Sequence, residues 1–119
     1  MTSRQTAGAR VALLMRALGK DLSRAWSAGE MAAVLGVSDA QLRRLCARAL
    51  GATPRQLLCN MRLQRAAVLL RDPGMRVKEI QARVGVGDAS HFCRDFRDRF
   101  GVSPTEYRCL HAGGTDSVD

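Results

Sequence analysis

The sequence predicts an all-α fold: two helix-turn-helix subdomains joined by a long central helix. Three observations predict it. Two stretches read as one motif written twice, MAAVLGVSDAQLRRLCARALGATP at residues 31–54 and EIQARVGVGDASHFCRDFRDRFGVSP at residues 79–104. In each copy a short apolar-periodic segment runs into a Gly-Val turn, then an arginine-loaded segment, then Gly-x-Ser/Thr-Pro. A helix, a tight glycine turn and a second helix is the helix-turn-helix arrangement. Between the copies, Leu57, Met61, Leu63, Ala66, Ala67, Leu69 and Leu70 make one helix apolar on more than one side. Such a helix suits a position shared by two small bundles.

Residues 1–8 are small and polar and are expected to be a disordered N-terminus. From Ala9 to Leu22, Val11, Leu14, Met15, Leu18 and Leu22 recur at spacings of three and four, one apolar stripe of a helix. Trp26 precedes Ser27-Ala28-Gly29-Glu30, a capping box. The lone tryptophan has two readings, a base-stacking platform and a core anchor between helices; its place just before a cap favours the anchor. The first helix of copy one then covers 28–35, with Met31, Val34 and Leu35 inward. Gly36 supplies the turn, and Ser38-Asp39-Ala40-Gln41 caps the next helix, which starts at about Asp39. Leu42, Leu45, Cys46 and Ala49 form its buried stripe, with Gln41, Arg44 and Arg48 opposite and Ala40 and Arg43 flanking.

Thr53-Pro54-Arg55-Gln56 is a third cap, with proline at the first helical position. The long helix runs to about Arg71, and Asp72-Pro73-Gly74 ends it. The first helix of copy two covers 76–84, with Val77, Ile80 and Val84 inward. Gly85-Val86-Gly87 is its turn. Asp88 to Phe100 is the second candidate reading helix, with Phe92, Phe96 and Phe100 inward and Ser90, Arg94 and Arg97 outward. Ser103-Pro104-Thr105-Glu106 caps a short last helix through Tyr107 and Arg108. The expected organisation is a first subdomain at 9–52, a linker helix at 53–72, a second subdomain at 73–110 and a flexible tail at 111–119.

Charge points to the partner. The chain has 119 residues, a net charge of +8 and 17 arginines against 2 lysines. Codon bias in a GC-rich genome produces the same arginine excess. Yet a small domain this basic points to a polyanion, most simply nucleic acid. Arginine is also the better fork for phosphate and for guanine edges. Cys46, Cys59, Cys93 and Cys109 form no C-x-x-C pair and no ligand spacing with His91 or His111, so no metal or cofactor is expected. Reduced thiols and a cytoplasmic location follow from the same usage. No run of 18 apolar residues exists, so no membrane span is predicted.

The second copy resembles the DNA-binding domain of the AraC/XylS family of bacterial transcription regulators. The resemblance is carried by Ile80, Gly85, Ser90, Phe92, Arg94, Phe96, Arg97, Phe100-Gly101, Ser103-Pro104 and Tyr107-Arg108. Arg62-Leu63, Ala66 and Leu70 match the family's central helix. Two positions depart: Val86 stands where the family has phenylalanine, and Gln81 where it has a small alanine.

The resemblance implies about seven helices in two homeodomain-like bundles, and sequence-specific binding of double-stranded operator DNA. Successive major grooves on one side of B-DNA recur about every 34 Å. A rigid linker helix of roughly 26 Å, with the bundle radii added, suits two reading helices in adjacent grooves. It implies base contacts from Ala40, Gln41, Arg43 and Arg44 in copy one and from Ala89, Ser90, Cys93 and Arg94 in copy two. Arg48 lies further along the first reading helix and Arg97 nearer the backbone. Phosphates are expected at Ser38, Thr53, Arg55 and Ser103, each of which a simple helix cap also explains, and for Ser103 the cap is favoured as the sole role. Copy one offers more long donors, so it is expected to carry more of the specificity.

The remaining partners are RNA polymerase, which relatives contact, and a second copy of the chain on tandem sites, the isolated chain being a monomer. A protein-interaction module that grips polymerase and binds DNA weakly is the alternative. An alkyl-accepting repair enzyme would need clustered, zinc-held cysteines, and the four here are scattered. No Ser-His-Asp set or carboxylate pair is legible, so no enzyme is expected. Nothing before Ala9 suffices for an effector domain. The chain therefore reads either as a stand-alone regulator or as the C-terminal part of a longer one.

Overall fold

The computed structural model describes residues 6–111. Among these residues seven helices follow one another: α1 (Ala7–Lys20), α2 (Ala28–Leu35), α3 (Asp39–Leu50), α4 (Pro54–Leu69), α5 (Val77–Val84), α6 (Ala89–Phe100) and α7 (Pro104–His111). No strand occurs among the described residues. The fold is the all-α arrangement expected from the doubled motif.

The chain divides into two compact units between Asn60 and Met61. In the first, α1 packs against α2 and most extensively against α3. Val11, Leu14 and Leu18 of α1, Met31 and Ala32 of α2, and Leu42 and Cys46 of α3 are buried. Burying a side chain of leucine size is worth about 1.5–3 kcal/mol, so this aliphatic set is what holds three short helices together. Burial also pushes the Cys46 thiol pKa up, which keeps it protonated and inert.

The second unit has an aromatic core. Phe92 and Phe96 are fully buried beside Ile80 and Val84. Phe96 meets Tyr107 edge to face, with centroids 5.4 Å apart and planes at 83°. Phe100, half-buried, lies 4.5 Å from Phe96 and 5.6 Å from Tyr107. The four-residue spacing of the phenylalanines puts all three on one face of α6. Arg108 closes this unit. Its guanidinium donates to the carbonyls of Leu70 (3.2 Å), Asp72 (3.4 Å) and Met75, holding the chain where it leaves α4.

Reciprocal caps start most helices. Glu30 N–H donates to Ser27 Oγ and Ser27 N–H to Glu30 Oε1. Ser38 with Gln41, Thr53 with Gln56, and Ser103 with Glu106 repeat the pattern. Each turn glycine is left-handed, Gly36 at φ 68° and Gly85 at φ 90°. A Cβ at Gly36 would meet nothing within 4 Å, so backbone conformation alone requires glycine there.

Several expectations are corrected. α1 begins at Ala7, because Thr6 Oγ1 accepts from Ala9 N–H and caps it. The expected N-terminal disorder therefore fails at Ala7 and Gly8, and residues 1–5 lie outside the described residues. α7 extends to His111, whose ring stacks 4.1 Å from Tyr107, and residues 112–119 of the expected tail lie outside the described residues. Val34 and Met15 are exposed, while Ala32 is buried in place of Val34. α2 is short and apolar nearly all round, so periodicity could not choose its inner face. Trp26 is half-buried and is no core anchor: its Nε1 donates to the Asp21 carbonyl, and the Arg24 guanidinium sits 4.5 Å above its ring.

Candidate nucleic-acid interface

Copy one presents its polar face on α3. Ser38 is the cap, engaged with Gln41 in both directions at 3.2 and 3.0 Å. Ala40 is half-buried; Gln41, Arg43, Arg44 and Arg48 are exposed. Gln41, Arg44 and Arg48 line one groove with Leu45 and with Arg10 of α1. Arg43 is not among the residues lining it. Thr53 and Arg55 stand at the start of α4, both exposed, with Thr53 Oγ1 accepting from Gln56 N–H.

Copy two presents α6. Ala89, Ser90, Cys93, Arg94 and Arg97 are all exposed. The cap here is a carboxylate. Asp88 Oδ1 accepts from Ser90 N–H at 2.8 Å and His91 N–H at 3.2 Å, and these bonds, aided by His91 and Arg94, hold its pKa below the usual range. Asp88 is therefore ionised at neutral pH, and its bonds occupy the two amide groups an incoming phosphate would use. Ser103 is likewise committed to Glu106. Val86 and Gln81, the two departures, are half-buried beside the turn.

The electrostatics of the two helices differ. From cap to end, α3 carries three arginines (Arg43, Arg44, Arg48) against one carboxylate, Asp39. α6 carries three arginines (Arg94, Arg97, Arg99) against three carboxylates, Asp88, Asp95 and Asp98. An α3-type face attracts a polyanion along its length, whereas an α6-type face is neutral in sum. Arg10 was missed by sequence reasoning. Its lining partners lie on another helix, and only its position off the α1 stripe hinted at exposure.

A sequence profile described as a helix-turn-helix domain matches residues 31–109. The chain belongs to the AraC/XylS-type helix-turn-helix family. It is 36% identical over 92 residues to the uncharacterised transcriptional regulator YidL of Escherichia coli K12, covering 77% of this chain and 31% of that protein. It is 32% identical over 95 residues to the transcriptional activator CfaD of Escherichia coli, covering 80% and 36%. The crystal structure of an AraC-type transcriptional regulator from Chromobacterium violaceum superposes with a TM-score of 0.82 at 27% identity, over 88% of this chain and 94% of that one. The chain spans about a third of the length of the curated relatives it matches. These AraC-type relatives are regulators rather than enzymes. Among the described residues no helix is long and apolar enough to cross a membrane.

Proposed function

We propose that this chain binds double-stranded DNA sequence-specifically and regulates bacterial transcription from the cytoplasm, each unit offering one reading helix to a major groove. The observation that carries the reading is the exposed polar face of α3, with three arginines and Gln41 and a single acidic residue at its start. Arg43 and Arg44 are the guanine readers, as bidentate donors to O6 and N7. Ala40 and Gln41 complete the base-facing set, with Ser38, Arg48, Thr53 and Arg55 toward the backbone. Ala89, Ser90, Cys93 and Arg94 face the second groove, and Arg97 its phosphates. With no net charge on α6, the second contact positions the protein more than it reads sequence. The same logic makes the site asymmetric, or a direct repeat where two copies bind in tandem. Activation through contact with RNA polymerase fits the naming of the relative CfaD as an activator.

Selection from a random DNA pool would give the operator, and Arg44→Ala would then test the assignment. The variant should lose about 1–3 kcal/mol of binding and relax one base position. An unchanged specificity profile would sink the assignment. A complex with polymerase that tolerates salt, without a salt-sensitive DNA complex, would move the function to protein interaction.

A further inference from the structure

We propose that the groove between α1 and α3 seats a DNA-backbone phosphate, with Arg10 of α1 and Arg48 of α3 as its two grips. The inference rests on the DNA-binding reading above and adds a contact from outside the helix-turn-helix. The groove is lined by Arg10, Gln41, Arg44, Leu45 and Arg48. Three arginines thus line one small space, and no carboxylate is among the lining residues. Like charges gathered in this way favour the approach of an anion.

The remaining polar lining group is also left as a donor. The Gln41 amide oxygen is taken by the Ser38 N–H at 3.0 Å, so its NH2 is what the side chain has to offer. Arg10 is held in position. One of its N–H groups donates to the Leu35 carbonyl at the end of α2, at 3.4 Å, and a guanidinium has five N–H donors in all. Arg44 and Arg48 lie one turn apart on the same side of α3. Arg44 borders the groove from the base-reading end and Arg48 from the far end.

Size decides the kind of occupant. The groove is about 220 Å³, below the roughly 300–1,000 Å³ of drug-sized ligand sites. A tetrahedral oxyanion fits a space of this size, whereas a drug-sized organic effector does not. A groove flanking the reading face, rich in donors and poor in acceptors, is where a duplex backbone would pass when α3 enters the major groove.

The experiment measures affinity of the intact chain for its selected duplex between about 50 and 200 mM salt. One phosphate contact contributes about 0.9 to the salt slope, so Arg10→Gln should flatten the slope by that amount. It should weaken binding about eightfold at 0.1 M salt, equally on operator variants. Arg10→Lys, which keeps the charge, should retain the wild-type slope. A loss confined to one base position, or an Arg10→Gln slope equal to wild type, overturns the proposal. So does a lowered slope in Arg10→Lys accompanied by a lowered melting temperature, which would mean that Arg10 acts through the Leu35 bond alone. Inorganic phosphate at constant ionic strength tests the other source of this chemistry. If it stabilises the free wild-type chain saturably while the DNA slopes stay equal, the groove holds a free oxyanion and the assignment to DNA falls. Failure of the wild-type chain to bind any duplex would remove the function itself, an outcome separate from equal slopes.

Discussion

Ser38 and Gln41 close a reciprocal cap at the start of α3: Gln41 N–H donates to Ser38 Oγ at 3.2 Å, and Ser38 N–H to Gln41 Oε1 at 3.0 Å. The same glutamine stands on the face proposed to read bases. Bidentate recognition of adenine needs both the amide oxygen and the amide nitrogen. Here the oxygen is already an acceptor for the backbone. The two roles compete, and the cap is intramolecular, so it is satisfied before DNA arrives.

Gln41→Glu separates them. Glutamate keeps the acceptor, as Glu30 and Glu106 do in the equivalent bonds. The melting temperature should therefore hold. Gln41→Ala should cost about 0.5–1.5 kcal/mol, the net worth of one hydrogen bond. If Gln41 is a capping residue first, neither variant should change the base preference of the selected site. Chemical denaturation and a repeat of the selection with each variant measure both arms; a shifted preference in Gln41→Ala would restore it as a base reader.

Arg108 gives a second prediction. Its guanidinium gathers three carbonyls, of Leu70, Asp72 and Met75, in the connection from α4 to α5, where the Asp72 carbonyl also accepts from Met75 N–H. A hydrogen bond to a charged group contributes roughly 1.5–3 kcal/mol. Arg108→Leu should destabilise the chain by about 2 kcal/mol at least, read from urea unfolding. Arg108→Lys should recover only part, because an ammonium lacks the planar fork. Full stability in Arg108→Leu would show that these carbonyls are served as well by water.

What was legible in the sequence was what neighbours in sequence decide. The boxes Ser27/Glu30, Ser38/Gln41, Thr53/Gln56 and Ser103/Glu106 are four-residue patterns, and all four form. Phe92 and Phe96 announced the second core by their spacing. The missing pieces depend on contacts between helices. Arg10 reaches Leu35 through a backbone carbonyl, which leaves no mark on residue type. Trp26 satisfies its indole N–H on Asp21, close in sequence but in an irregular turn that periodicity does not describe. Glu79 bonds the backbone N–H of Arg76 at 2.8 Å, yet arginine is not a capping residue, so the half-box was invisible. At the site, helical spacing separated outer from inner residues on α3 and α6. It could not show that Arg44 and Arg48 share a groove with α1.

Acid should weaken the fold in a predictable window. The Glu30 pKa is held below its ordinary 4.5 by the Ser27 backbone bond and then by Arg24, 2.7 Å away. Glu106 is lowered by Ser103, and Asp88 by the His91 and Ser90 amide groups. Each favours its ionised form in the fold, so each stabilises fully above the ordinary carboxylate range. That contribution is lost as pH falls through the range and below it. The melting temperature should be level near neutrality and decline below about pH 5. The double variant Glu30→Gln with Glu106→Gln keeps the backbone acceptors and removes the titration, so its decline should be shallower. An identical decline would place the acid sensitivity elsewhere.

Thiol chemistry can report the proposed second contact without altering it. Cys93 and Cys109 are exposed, while Cys46 is buried, with its pKa raised. A thiol reagent applied to the native chain at neutral pH should label Cys93 and Cys109 early and Cys46 only on unfolding. Cys93 lies on the outward face of α6 between Ser90 and Arg94, whereas Cys109 lies on α7. If α6 enters a major groove, the selected duplex should slow labelling at Cys93 several-fold and leave Cys109 unchanged. Mass spectrometry of the two peptides gives both rates in one experiment, with Cys109 as the internal control for reagent depletion. Equal rates at Cys93 with and without DNA, under conditions where the chain is saturated with duplex, would mean that α6 stays outside the groove and that α3 alone reads the site.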